Sequence, residues 1–237
     1  MLVEISFNVI YLLVIWGLVI VMTLNRDRVA PENRRVAGLA RWAFFLLALG
    51  DTGHVGFRVW AYAQGGLETT ISLFGREVGL VGLGALATAI TVTGFYVLVL
   101  EMWRARFQKP YGWFGILLLV AAVVRLLLMI PAANQWNNVV PPQPWSTIRN
   151  LPLMVLGLGA AYLILRDARA AGDRLFTWIG WSIVVSYAMY IPVILFVQQV
   201  PMIGMLMIPK TVAYVAIALI VYQGFYSARA TLTTASA

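Results

Sequence analysis

Seven runs of mostly apolar residues follow one another along the chain, at about 4–24, 42–63, 78–102, 112–131, 148–166, 175–198 and 202–226. Each is close to the length that a helix needs to cross a membrane. A hydrocarbon core about 30 Å thick takes about 20 residues at about 1.5 Å of rise each. The connections between the runs are short and polar. No linker, charge block or low-complexity stretch divides the chain, so one domain over 1–237 is expected. The expected fold class is all-α, an integral membrane bundle of seven transmembrane helices.

Composition agrees. Of the 237 residues, 62% are hydrophobic and 11% charged, against about 25% charged in a soluble domain. The mean hydropathy is +0.86. The first run does not read as a signal peptide. It lacks a basic start, carries Glu4, and leads to no A-x-A site before a soluble domain.

Basic residues orient the bundle. Arg26, Arg28, Arg34, Arg35 and Arg41 lie between the first two runs. Arg104, Arg106 and Lys109 follow the third, Arg166, Arg169 and Arg174 follow the fifth, and Arg229 lies on the tail. All fall on one side of a seven-helix arrangement, and they make up most of the 17 basic residues. The positive-inside rule then puts the N-terminus outside and the C-terminus in the cytoplasm. The expected location is the plasma membrane, the inner membrane of a bacterium, with the lipid bilayer as the first partner. The net charge of +8 therefore reads as anchoring. Nothing resembles a basic stripe with interleaved aromatics, so nucleic acid is not an expected partner. There are no cysteines and one histidine. That excludes a disulfide framework, a thiolate nucleophile and a multi-histidine zinc site, and no metal is expected.

Ionisable side chains inside a membrane segment are costly and mark functional sites by default. Asp51, His54 and Arg58 stand at i, i+3 and i+7 in the run GDTGHVGFR, on one face of the second helix. The interleaved Gly50, Gly53 and Gly56 would let a neighbouring helix or a ligand come close. Lys210 lies well inside the last helix, after Pro209, which should kink it. A plain salt bridge from Lys210 to Asp51 is the structural alternative. Arg125 on the fourth helix either faces the same pocket or snorkels outward.

Counted along the helices, His54, Arg125 and Lys210 share a depth just outside the midplane. Asp51 lies about one turn deeper. Arg58, Arg149 and Asn150 lie nearer the outer mouth. Tyr187, Tyr190 and Pro192 on the sixth helix would wall an apolar ligand. Thr88, Thr91 and Thr93 are expected to bond backbone carbonyls. The loop 134–145, NQWNNVVPPQPW, is long enough to cap the outer face.

The expected pocket is lined by Asp51, His54, Arg58, Arg125, Arg149, Asn150, Tyr190 and Lys210. Asp51 cannot neutralise so many cations, with Glu4 and Glu77 the further carboxylates near the outer ends. The surplus favours a small anionic or amphipathic ligand.

Seven helices, an outside N-terminus and a lysine midway along the last helix resemble the opsin layout. That resemblance implies retinal as a cofactor on Lys210, as a Schiff base, with Asp51 as counterion. The third helix departs from the microbial opsin pattern, having no carboxylate between Val78 and Leu100. GDTGHVGFR and the IPK element also resemble those of an uncharacterised bacterial seven-helix family, which implies no activity. The residues by themselves imply no cofactor.

Four functions follow. The first is a binding protein, either a receptor or a carrier that works as a transporter. The second is an opsin-like protein. The third is a membrane-embedded enzyme using His54 and Asp51 as an acid–base pair, the only catalytic candidates, although no nucleophile motif accompanies them. The fourth is a subunit of a larger assembly, and a homo-oligomer is compatible with all four.

Overall fold

The structure is a computed structural model and describes residues 2–227, with side chains from Ser6 onward. Arg229 and the Glu4 side chain lie outside the described residues. The seven long helices stand where the apolar runs stand. They are α1 (Leu2–Leu24), α2 (Arg34–Ala63), α3 (Leu80–Phe107), α4 (Gly112–Leu127), α6 (Leu151–Ala170), α7 (Arg174–Phe196) and α8 (Met207–Val221), with a single turn, α5 (Trp145–Ile148), before α6. Five segments are long and apolar enough to cross a membrane: Ser6–Leu24, Leu80–Phe107, Trp145–Ala170, Arg174–Phe196 and Pro201–Tyr226. Large apolar side chains such as Leu13, Trp113, Ile116 and Val123 are exposed. A surface of that kind is costly in water and unremarkable in lipid.

The remaining two long helices fall short for different reasons. The charges and glycines of GDTGHVGFR lower the apolarity of α2, the longest helix. The early end of α4 leaves it 16 residues. The sequence carries apolar residues on to Pro131, but proline disfavours helix in the residue before it. Asn134 is buried and its Nδ2 donates to the Leu128 carbonyl at 2.8 Å, taking up an end group of the helix.

The helices close into a ring of contacts. α1 touches α2 and α8, α7 lies between α6 and α8, and α3 packs on α2, α4 and α6. The α2–α3 contact is the most extensive. Gly50 and Gly53 of α2 face α3, and Gly84 of α3 faces α2. A Cβ on Gly84 would stand 2.9 Å from His54 Cα, and one on Gly50 would overlap the Thr91 side chain. Thr88 Oγ1 crosses the seam and donates to the Gly50 carbonyl at 3.0 Å. Thr91 and Thr93 donate to carbonyls of their own helix, those of Ala87 and Ala89. Gly56 meets nothing within 4 Å and has no such role.

At one end of the bundle, residues between α2 and α3 form an antiparallel hairpin, β1 (Thr70–Leu73) and β2 (Arg76–Gly79), with Leu73 opposite Arg76. The sequence reading has only a loop there. Its two turn residues, Phe74 and Gly75, both take positive φ, and Phe74 is 98% exposed. The loop 134–145 lies across this end. Asn137 Oδ1 accepts from the Gly79 N–H, and Gln198 Nε2 donates to the Pro141 carbonyl at 3.0 Å.

At the other end, carboxylates hold the basic loops. Glu101 pairs with Arg104 at 3.0 Å and Arg35 at 4.0 Å, Asp173 with Arg106 at 2.8 Å, and Asp167 with Arg166 at 2.9 Å. Tyr111, in the loop before α4, donates to Glu101 at 2.6 Å. Burial, with Glu101 beside it, pushes the Tyr111 hydroxyl up to about 12.

Gly50→Ala should lower the thermal midpoint in mild detergent, because the added methyl forces the α2–α3 seam apart at a cost of about 1–3 kcal/mol. Gly56→Ala, over open space, should leave the midpoint unchanged or raise it. Equal midpoints for the two variants would remove the seam's special status.

Candidate functional site

Lys210 sits in the first turn of α8. Its segment opens at Pro201 as a 3-10 helix and becomes α-helical at Met207. Pro209 therefore falls where its missing N–H has no intrahelical partner to lose. The kink expected inside the last helix is replaced by this change of helix type. Lys210 Nζ stands over two aromatic faces, 4.4 Å from the Tyr190 ring centre and 5.3 Å from that of Tyr214. Such cation–π contacts are worth up to about 2 kcal/mol when desolvated. Among the described residues Lys210 has no ion pair.

Asp51 does not touch Lys210. Its Oδ2 accepts a 2.7 Å hydrogen bond from the Tyr11 hydroxyl of α1, while its charge acts on Lys210 through space. The contact salt bridge allowed by the sequence is therefore not formed. Both side chains are closely surrounded by protein yet retain some exposed surface, as groups lining a cleft do.

Arg125 is turned inward. It is 3% exposed, and its Nε and Nη1 have no hydrogen-bond partner. Tyr96, Tyr187, Tyr190 and Tyr214 lie near it. Lys210 and Arg149 both feel its positive charge. An arginine snorkelling outward would have its guanidinium in contact with solvent, so that alternative is set aside.

Arg149 and Asn150 occupy the break between α5 and α6, where the sequence reading has a continuous helix from 148. Arg149 Nη1 reaches Asn134 Oδ1 at 3.4 Å, and Asn150 Oδ1 accepts from the Tyr190 hydroxyl at 3.3 Å. Tyr190 thus joins the mouth at Asn150 to the amine of Lys210.

His54 and Arg58 are the other two expected residues, both on α2. His54 lies at the α2–α3 seam, its backbone against Gly84. Arg58 is half-buried one turn further along α2, and no hydrogen bond or ion pair ties it to Arg125 or Lys210. Glu77 is exposed on the hairpin, where its Oε2 accepts from Thr70 at 2.7 Å, so it does not balance the buried cations.

The structure adds Tyr11, Tyr96 and Tyr214, which the sequence does not single out, and gives Tyr187 a partner. Tyr96 and Tyr214 share a 2.9 Å hydrogen bond between their hydroxyls. Tyr187 lies over Gly157 of α6 and donates to the Leu153 carbonyl at 2.9 Å. Tyr11 occupies Asp51. Each is a single aromatic in an apolar run, which by itself reads as packing. The signal available was the pair Tyr187 and Tyr190, three residues apart and on one helical face.

The arrangement brings together Arg125, Lys210 and Arg149 from α4, α8 and the α5–α6 break. Tyrosine rings wall the group, and among the described residues the nearby carboxylate, Asp51, is engaged by a hydroxyl. It offers charge-assisted donors and aromatic faces to a negatively charged group.

Tyr11→Phe should destabilise the protein, because it removes the hydroxyl held by a buried carboxylate, at about 1.5–3 kcal/mol. In Asp51→Asn the same change should cost less, and unfolding midpoints of the two single variants and the double variant measure the difference. Additive losses would mean that the bond contributes nothing of its own. No family model, curated protein or solved structure matches the chain, so its function is read from these residues.

Proposed function

We propose that the chain is an integral membrane protein whose seven long helices all cross the bilayer, N-terminus outside, and that its outer half binds a small anionic or amphipathic molecule, as a receptor or a carrier does. The observation that carries this reading is Arg125, a guanidinium 3% exposed which, among the described residues, has two nitrogens unsatisfied and no carboxylate paired with it. A buried charge without a counterion is strongly destabilising unless something supplies the missing partner. Lys210 repeats the pattern a short distance away, and the two cations repel each other. A carboxylate or phosphate between them would end that repulsion and take up the free donors. Tyr190, Tyr214 and the apolar helix faces would receive the rest of an amphipathic ligand.

A site kept at the expense of stability makes a signed prediction. Arg125→Met, of similar volume, should raise the thermal midpoint of the ligand-free protein and abolish the response to dodecanoate. An arginine that only holds the fold would give the opposite sign. Titrated in nanodiscs, dodecanoate should bind the unaltered protein at least tenfold more tightly than either Arg125→Met or Lys210→Gln, a difference of about 1.4 kcal/mol or more. Dodecyltrimethylammonium should not bind. Equal binding of both amphiphiles to all three proteins would defeat the proposal.

The orientation has its own test, made simple by the lack of native cysteine. Phe74→Cys, at the hairpin tip, should react with a membrane-impermeant maleimide in intact cells. Gln108→Cys, between α3 and α4, should react only after permeabilisation. The reverse pattern would invert the topology.

Lys210 also supports a second reading, on the observation that its amine stands between two aromatic rings without an ion pair. It would hold retinal as a Schiff base, in which a protonated imine supplies the light-absorbing chemistry. Tyr190 and Tyr214 would flank the polyene, and Asp51 would balance the charge across the space between them. Purification with all-trans retinal tests this. A visible band lost in Lys210→Ala would replace the anion reading.

A further inference from the structure

A second cleft, of about 260 Å³, lies at the opposite end of the bundle from Lys210. It is formed by the 3-10 turn Arg26–Arg28, the first turns of α2 and the π-turn Tyr222–Tyr226 that ends the α8 segment. Arg34, Ala37, Gly38 and Arg41 line it from a single face of α2, at the spacing that aligns side chains along a helix. Arg26 closes it from the loop.

Carboxylates neutralise some of the arginines at this end and not others. Arg35, Arg104, Arg106 and Arg166, at the same end, all have carboxylate partners within 4.0 Å. Arg34 and Arg41, which line the cleft, have none among the described residues. Among the described residues the carboxylate at the cleft is Asp27, 91% exposed and 3.8 Å from Arg26, an arrangement that neutralises little. The Tyr226 hydroxyl donates to the Ala37 carbonyl at 2.7 Å, so its proton is already used and the ring forms the floor. Gly38 has nothing within 4 Å of where a Cβ would stand, so the cleft over it is open space.

Guanidinium groups around an open cleft match the oxygens of a phosphate, which they can bind in bidentate fashion. The volume is below the roughly 300–1,000 Å³ of sites for drug-sized ligands and suits a headgroup. The cleft sits at helix ends beside the exposed Trp42, whose ring lies under Arg41 at 5.7 Å. Tryptophan in that position is characteristic of the headgroup layer of a membrane.

We infer that this cleft is a binding site for a phosphate group of net negative charge, held by Arg34 and Arg41 with Arg26 completing the site. An anionic phospholipid and free phosphate share that chemistry, and the test separates them. The full-length protein in mild detergent is incubated with phosphatidylglycerol or phosphatidylcholine of identical chains, and retained lipid is read by native mass spectrometry. In parallel, inorganic phosphate is titrated while the thermal midpoint is followed.

Two variants remove the site in different ways. Arg34→Gln with Arg41→Gln removes its charge. Gly38→Leu fills the space and leaves the charge in place. Phosphatidylglycerol should be retained at least tenfold over phosphatidylcholine, with that preference lost in both variants and kept in Lys210→Gln. Equal retention of the two lipids, with a midpoint raised by phosphate only in the unaltered cleft, also supports the site and makes free phosphate its ligand. The same lipid preference and the same phosphate response in the unaltered protein and both variants would overturn the inference. Because Lys210→Gln leaves this cleft intact, failure here and failure of the outer site are read independently.

Discussion

Glycines let α2 and α3 approach until backbone meets backbone, and the positions of the polar groups follow from that contact. Gly84 faces the α2 backbone at His54, and Gly50 faces Thr88 and Thr91. At such a distance polar groups are easily trapped without partners, and Thr88 removes one hazard by donating across the seam to the Gly50 carbonyl. With that face of α2 closed against α3, Asp51 meets α1, where Tyr11 holds it. On α3 the same contact leaves the Tyr96 hydroxyl to bond Tyr214 of α8. The hydroxyl that holds Asp51 and the rings around Lys210 are thus positioned from the two sides of one seam.

Charge is distributed very unevenly between the two ends. Among the described residues every ion pair lies at the end that carries the basic loops, where Asp27, Glu101, Asp167 and Asp173 each have an arginine within 4.0 Å. Arg125, Arg149 and Lys210 gather toward the other end without one. Anchoring cations can be paired or left to water and headgroups at little cost. A cation enclosed by tyrosine rings has neither outlet. The two kinds of positive residue therefore differ in what their surroundings supply.

The long helices were legible because hydrocarbon imposes a length and a polarity that single residues report directly. Arg125 and Lys210 were legible for the same reason, as a charge in an apolar run is visible without any fold. The tyrosines were not. Tyr11, Tyr96 and Tyr214 look like packing until their hydroxyls are seen to meet Asp51 and one another. The hairpin was hidden by its turn, since Phe74–Gly75 lacks the asparagine or aspartate that normally announces positive φ at the first position. The arginine-lined cleft was hidden by its loop. Arg26, Arg34 and Arg41 are ordinary inside charges in sequence, and only the return of Tyr226 to Ala37 encloses them.

The irregular backbone has a location too. α4 stops at Leu127, α5 and α6 part at Arg149–Asn150, α7 carries Pro192 inside it, and the last segment changes from 3-10 to α-helix at Met207. These four lie in the half of the bundle that holds Arg125 and Lys210, whereas the π-turn Tyr222–Tyr226 lies at the opposite end, and each of the four frees or bends backbone that lipid could not satisfy. In a membrane such backbone survives where protein buries it or where it lines a polar space. Asn134 on the Leu128 carbonyl and Asn150 beneath Tyr190 provide the first condition. The unpartnered nitrogens of Arg125 indicate the second. Helix breaks and unmatched cations are costly for separate reasons, and both gather in the same half of the bundle.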